Sequence, residues 1–194
     1  MMCDLRAEHL KGASLSQRQI DWLMARGVPP LALGKPWALA TDHVVFDERG
    51  SFEFARHLHD EEGRRVMTIG VEARRSDSAV PDVTDIVAWD VASGRLATWC
   101  GRAFALGQEQ VLGVNFGAEP LAVWRSPLNW LRASRRGIVI VRPWLARDWL
   151  EDVADVGVVA EDEAHGYDLD ELLLRKPSRF KVVVREHANE RSTG

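Results

Sequence analysis

The chain has 194 residues, of which 46% are hydrophobic and 28% charged, a composition that supports a buried core without metal or disulfide staples. No apolar run reaches the ~18–20 residues of a membrane-spanning helix, and the first residues, Met1 to Lys11, mix charges with apolar groups, so neither a membrane span nor a secretory signal is expected. Two cysteines, Cys3 and Cys100, supply no disulfide framework and no cysteine-based zinc site. A reducing cytoplasm is the expected setting.

Residues 1–14 read as a flexible leader. The first firm element is a helix over Ser16 to Arg26. Ser16 and Gln19 have the spacing of a capping box, Leu15 and Ile20 that of a hydrophobic staple, and Ile20, Leu23 and Met24 fall on one stripe. Gly27 is a natural stop, and Pro29-Pro30 forbids continuation. A short turn or single helical turn is expected over Val28 to Leu33. Residues 36–99 read as strands. Val44–Phe46 and Ser51–Leu58 flank the turn signal Asp47-Glu48-Arg49-Gly50, and Phe52 and Phe54 alternate with polar neighbours. Arg65–Val71 returns as a strand, giving an expected hairpin with Ser51–Leu58. Glu72 to Pro81 reads as an exposed loop. Val83–Val91 and Arg95–Cys100 form a further hairpin across Ala92-Ser93-Gly94. A short helix is expected over Arg102–Leu106, then an irregular stretch from Gln108 to Glu119.

The last third changes pattern. Leu121–Trp124, Ile138–Val141, Val156–Ala160 and Lys181–Val184 are apolar, mostly β-branched runs. Between them lie helical stretches opening at Ser126-Pro127, at Pro143 and near Gly166. Strands alternating with helices imply parallel pairing. The expected fold is α+β overall: residues 15–119 form a helix plus antiparallel hairpins, residues 120–185 a β-α-β-α-β-α-β unit with a mainly parallel sheet, and residues 186–194 a disordered tail.

The net charge of −4 conceals segregation. Leu121 to Arg147 holds six arginines and no acid; Asp148 to Glu171 holds ten acids and no Lys or Arg. In an open parallel sheet, functional groups gather at the carboxyl ends of the strands. Those ends carry Arg125-Ser126, Arg142 and Glu161-Asp162-Glu163. The three acids could hold Mg²⁺, or Arg125 and Arg142 could simply neutralise Glu161 and Glu163 across adjacent strands. Arg125, Arg132, Arg135, Arg136 and Arg142 are the candidate phosphate contacts of a nucleic-acid surface. His57 and His59 share one strand face and could bind a metal with His43 or Asp60. His165 lies beside the acids. Phosphate-loop, dinucleotide, serine-hydrolase and zinc-protease motifs are absent from the sequence.

The run from Glu119 to Leu131, then Ile138–Val141, then Val158 to Gly166 resembles a Toprim domain, the metal-binding module of primases, topoisomerases and some mobile-element proteins. The family plan is β-α-β-α-β-α-β, with a Glu after the first strand and Asp-x-Asp after the third. Glu161-x-Glu163, followed by Ala164 and Gly166, occupies the second motif. At the first, Trp124-Arg125-Ser126 stands in place of the Glu. The resemblance spans about 65 residues and implies a repurposed, inactive copy, because the family uses the missing Glu for acid–base work. Arg125 would place a positive charge where the cation sits, so any Mg²⁺ binding is expected to be weak, and no other cofactor is expected.

Three functions follow as expectations. The leading one is a non-catalytic accessory protein, of phage or mobile-element type, that binds nucleic acid or a partner protein. The second is a metal-dependent phosphoryl-transfer enzyme using Glu161, Asp162 and Glu163. The third is a pure protein-interaction module with the acidic block 148–171 as its face.

Overall fold

The computed structural model describes residues 4–34, 37–58, 63–72, 82–111, 120–151 and 157–174. They form an α+β fold with an antiparallel sheet and a mixed sheet.

The segment ahead of Leu15 is built into the fold, which corrects the expected leader over its described part. Helix α1 (Leu5–His9) is capped by the Asp4 carboxylate, which accepts from the Ala7 N–H at 3.0 Å. Leu5, Glu8 and His9 are buried. Strand β1 (Ala13–Ser14) pairs antiparallel with β2 (Ala40–Phe46). The anchoring partners of α1, among them Ala38, Arg56 and His57, lie far along the chain. Nothing local in the sequence displays them.

Helix α2 (Gln17–Met24) has both halves of the capping box: the Gln19 N–H donates to the Ser16 hydroxyl and the Ser16 N–H donates to the Gln19 side chain. Gly27 ends it with φ +84°, where a side chain would be strained. Leu23 is fully buried, but Met24 is 47% exposed, so the buried stripe is narrower than its spacing suggested. A single helical turn, α3 (Pro30–Gly34), follows.

The antiparallel sheet runs β1-β2-β4-β5-β6, with β3 (Phe52–Phe54) beside β1 on the same edge of β2. Strand β4 (Arg64–Glu72) pairs with β2 and with β5 (Val83–Trp89). The expected hairpin between Ser51–Leu58 and Arg65–Val71 is therefore corrected, because β2 lies between the two strands. The tight turn after β2 decides this: Asp47 Oδ1 accepts the N–H groups of Arg49 and Ser51 and folds β3 back on β2 at once. The hairpin of β5 with β6 (Leu96–Thr98) forms as the sequence suggests. An isolated bridge between Ser51 and Thr98 joins the two ends of the sheet, which curls around Phe52, Phe54, Val44, Val66 and Ile86. Its other face packs Met67, Ile69 and Val87 against Leu23, Trp130 and Leu131.

The mixed sheet has the order β10-β8-β9-β7. Strand β8 (Leu121–Trp124) runs parallel to both β9 (Ile138–Ile140) and β10 (Val158–Val159), while β7 (Ala105–Leu106) is antiparallel to β9. Strand β7 replaces the helix expected over Arg102–Leu106. The reason is Asp85, whose carboxylate accepts the N–H groups of Cys100, Arg102 and Ala103 at 2.7–2.9 Å and draws them away from helical pairing. Helices α4 (Pro127–Arg132), α5 (Pro143–Leu150) and α6 (Glu163–Leu174) complete this region. Ser126 caps α4 with Pro127 as its first residue, as the sequence indicates. Helix α4 closes before Ser134 and Arg135, which have φ of +57° and +62°. The expected strand near 182–184, the loop at 73–81 and the tail from 186 lie outside the described residues. Among the described residues no helix is long and apolar enough to cross a membrane.

Candidate functional site

The chain leaves β8 through α4 to reach β9, then returns to the opposite edge of β8 as β10. Such a reversal opens a crevice at the carboxyl ends of the strands, where open α/β sheets hold their ligands. Arg125 follows β8 there, and Glu161 and Asp162 follow β10. The Arg125 guanidinium meets Asp162 at 2.9 Å and Asp168 at 3.2 Å, and its backbone N–H donates to Glu161 Oε1 at 2.8 Å. Asn129 Nδ2 donates to both Glu161 oxygens at 3.0 Å. Asp162 caps α6, accepting the His165 N–H at 2.8 Å. That bond, together with Arg125, holds its carboxyl below the ordinary range, and the Arg125 guanidinium is in turn held more basic by Asp162.

The three acids named from the sequence are thus divided. Glu161 turns to Arg125 and Asn129, and Asp162 to Arg125 and the helix end. Glu163 lies within α6 near the Tyr167 hydroxyl, which donates to it at 3.3 Å. Among the described residues no group of three or more His, Cys, Asp or Glu side chains is placed to hold a metal ion. The expected Mg²⁺ ligands Glu161, Asp162 and Glu163 do not converge. Arg125 already supplies the local positive charge.

The five arginines do not form one surface either. Arg132 and Arg136 are exposed. Arg135, one of the candidate phosphate contacts, is buried: its Nε donates to the Ala32 carbonyl at 2.7 Å and its Nη2 to the Trp37 carbonyl at 2.9 Å. Arg142 reaches across to the antiparallel sheet, donating to Thr98 Oγ1 and Ser51 Oγ, each at 2.7 Å, and so pins the seam where that sheet closes on itself. Of the histidines, His57 is committed to Glu8 at 2.9 Å, and His59 and Asp60 lie outside the described residues. His165 is 6% exposed and lines a crevice of about 390 Å³ with Trp124, Arg125, Pro143, Asp168 and Leu169. Its Nδ1 accepts the Glu161 N–H at 3.2 Å.

Sequence reading missed a second polar centre between the two sheets. Burial pushes the Glu72 carboxyl up to about 7, and the nearby charge of Glu109 adds to this. Glu109 is also raised by burial, and burial lowers Arg135 to about 10. Glu72, Glu109 and Arg135 stand far apart in the chain, so no spacing rule announces them. The sequence signal is an acid directly after the apolar run Ile69-Gly70-Val71 at the end of β4.

The fold and these sites define an α+β protein in which the carboxyl ends of two parallel strands, β8 and β10, are joined by an arginine–carboxylate network at the surface. Comparison with protein-family models, with curated proteins and with solved structures finds no match.

Proposed function

We propose that this is a non-catalytic accessory protein that binds a basic partner protein through the acidic, aromatic face of α5 and α6. The observation that carries the reading is the opposite fate of the two charge blocks. Arg135 and Arg147 turn inward, Arg142 is spent on the other sheet and Arg125 is paired with acids, which leaves Arg132 and Arg136 as the exposed members of the block. The acids Asp148, Glu151, Glu163, Asp168, Asp170 and Glu171 remain at the surface. Beside them Trp144 is 55%, Trp149 37% and Tyr167 67% exposed. Exposed aromatic rings in a charged rim are the ordinary anchors of protein interfaces, and a field of this sign attracts a basic surface and repels phosphate backbones.

The Toprim-like reading of residues 120–185 stays with this proposal. Parallel pairing of β8 with β9 and β10 supports it, and Arg125 at the place of the family's Glu supports a copy without metal chemistry. A mobile-element origin belongs to the same reading.

The test is a pair of titrations at about 50 mM salt, where electrostatic binding is strongest. One uses an arginine-rich peptide as a surrogate basic partner; the other uses single- and double-stranded DNA and RNA. The expected result is peptide binding that weakens by about tenfold or more on Trp144→Ala with Asp170→Asn and Glu171→Gln, and no nucleic-acid shift at micromolar protein. A nucleic-acid shift lost on Arg132→Ala with Arg136→Ala would instead establish the nucleic-acid reading.

A further inference from the structure

We propose that a cleft between α2 and the antiparallel sheet binds a small organic phosphate of mononucleotide size, with its flat ring on Trp22 and its phosphate between Arg18 and Arg65. The cleft measures about 540 Å³ and is lined by residues 16, 18, 19 and 22 of the α2 segment, 65–67 of β4 and 90–92 after β5. That volume lies within the usual range for small-molecule sites.

Three features select the ligand. First, Arg18 and Arg65 come from different elements, line the same cleft and have no hydrogen-bond or ion-pair partner among the described residues. Several other arginines are held by acids: Arg56 has Glu8 and Asp42, Arg64 has Asp90, Arg125 has Asp162 and Asp168. Two guanidinium groups lining one cleft, each without a partner among the described residues, favour a dianion, and their planar donor forks match phosphate oxygens. Second, the acid in the cleft does not oppose this. The Asp90 carboxylate is already occupied by Arg64 Nη1 at 2.7 Å, Ser93 Oγ at 2.6 Å and the Ala92 N–H at 3.0 Å. Third, Trp22 is a preset platform. Arg26 stacks on its ring at 3.9 Å from the centroid and donates to the Trp22 carbonyl, which fixes the indole while it still lines the cleft. A ring backed by a cation on one face stacks well on a base, and Met67 and Val91 add apolar wall.

This site is remote in sequence from the acidic face and shares no residue with it, so the two proposals fail separately. The test is calorimetric titration of the full chain with AMP, GMP, CMP and UMP in turn, with adenosine and inorganic phosphate as the separated halves. Saturable binding of at least one mononucleotide at one site, with Kd below about 1 mM, is expected. Both halves should bind about tenfold more weakly or worse. Arg18→Ala with Arg65→Ala should weaken mononucleotide binding about tenfold or more, and Trp22→Leu should do so on its own. The arginine variants are surface changes and should leave the thermal midpoint within about 2 °C. No binding of any of the four at about 5 mM overturns the proposal. So does phosphate binding as tightly as the mononucleotides, or wild-type affinity in both variants.

Discussion

Among the described residues, the fully buried charges of the antiparallel region are the carboxylates Glu8, Asp85 and Asp90, whereas those beside the mixed sheet are the guanidinium groups of Arg135 and Arg147. Asp85 is wholly buried and accepts four backbone N–H groups, from Ile86, Cys100, Arg102 and Ala103. Asp90 closes the β5–β6 turn, and Glu8 gathers Lys11, Arg56 and His57. Across the molecule Arg135 sits on the carbonyls of Ala32 and Trp37, near the end of α3. The difference follows from what the backbone leaves unpaired. Tight turns and crossings present N–H groups, which suit a carboxylate, whereas helix ends present carbonyls, which suit an arginine. Sign of charge in a stretch of sequence does not decide which side of the chain it faces. The backbone groups waiting inside do.

The comparison can be broken most directly at Asp85. Replacing it with Ala leaves several buried N–H groups unpaired and is expected to destabilise the fold by about 3–5 kcal/mol in urea denaturation. Asp85→Asn keeps one acceptor oxygen and should recover part of that loss. A cost under about 1 kcal/mol for Ala would mean that water enters freely and that Asp85 does not organise the crossing.

Arg135 is the matching probe on the other side. Arg135→Met removes two hydrogen bonds to buried carbonyls and should cost about 2–4 kcal/mol. Relief of charge burial offsets part of this, so a near-neutral result would show the guanidinium to be merely tolerated there.

Two carboxyls sharpen the contrast through pH. Burial by itself would raise Glu8, but hydrogen bonds from Lys11 and Arg56 override it and hold the group at about 2. Its contribution is present above about 4.5 and is lost as pH falls through 2. Glu72 has the opposite sign. Raised to about 7 by burial, it stabilises the fold fully below about 4.5, and that contribution is lost as pH rises through 7. Each change should amount to about 1–3 kcal/mol after allowance for solvent screening. Stability of the Glu72→Gln variant should decline less between pH 5 and pH 8 than that of the wild type, the remainder coming from Glu109. An equal decline in both would assign the slope to another group.

The smallest effect is expected at the exposed members of the arginine block. Arg132→Ala and Arg136→Ala should each change stability by less than about 0.5 kcal/mol. Thermal unfolding of these variants beside Arg135→Met measures how unequal neighbours in one basic run can be.

What the sequence determined by itself was local. The Ser16–Gln19 capping box, the Gly27 stop, the Ser126-Pro127 helix start and the β5–β6 hairpin depend on bonds within a few residues, and each is present. The parallel pairing of β8 and β9 was legible too, because a helix of fitting length separates two apolar runs. Tertiary structure alone decided the rest. It made β7 a strand through Asp85, placed β2 between β3 and β4, and built α1 onto Arg56 and His57. It also spread the arginine block, sending Arg135 to Ala32 and Trp37 and Arg142 to Ser51 and Thr98. A charged side chain goes to whatever backbone or carboxylate group would otherwise stay unpaired, and those groups are set by chain crossings that residue spacing does not encode.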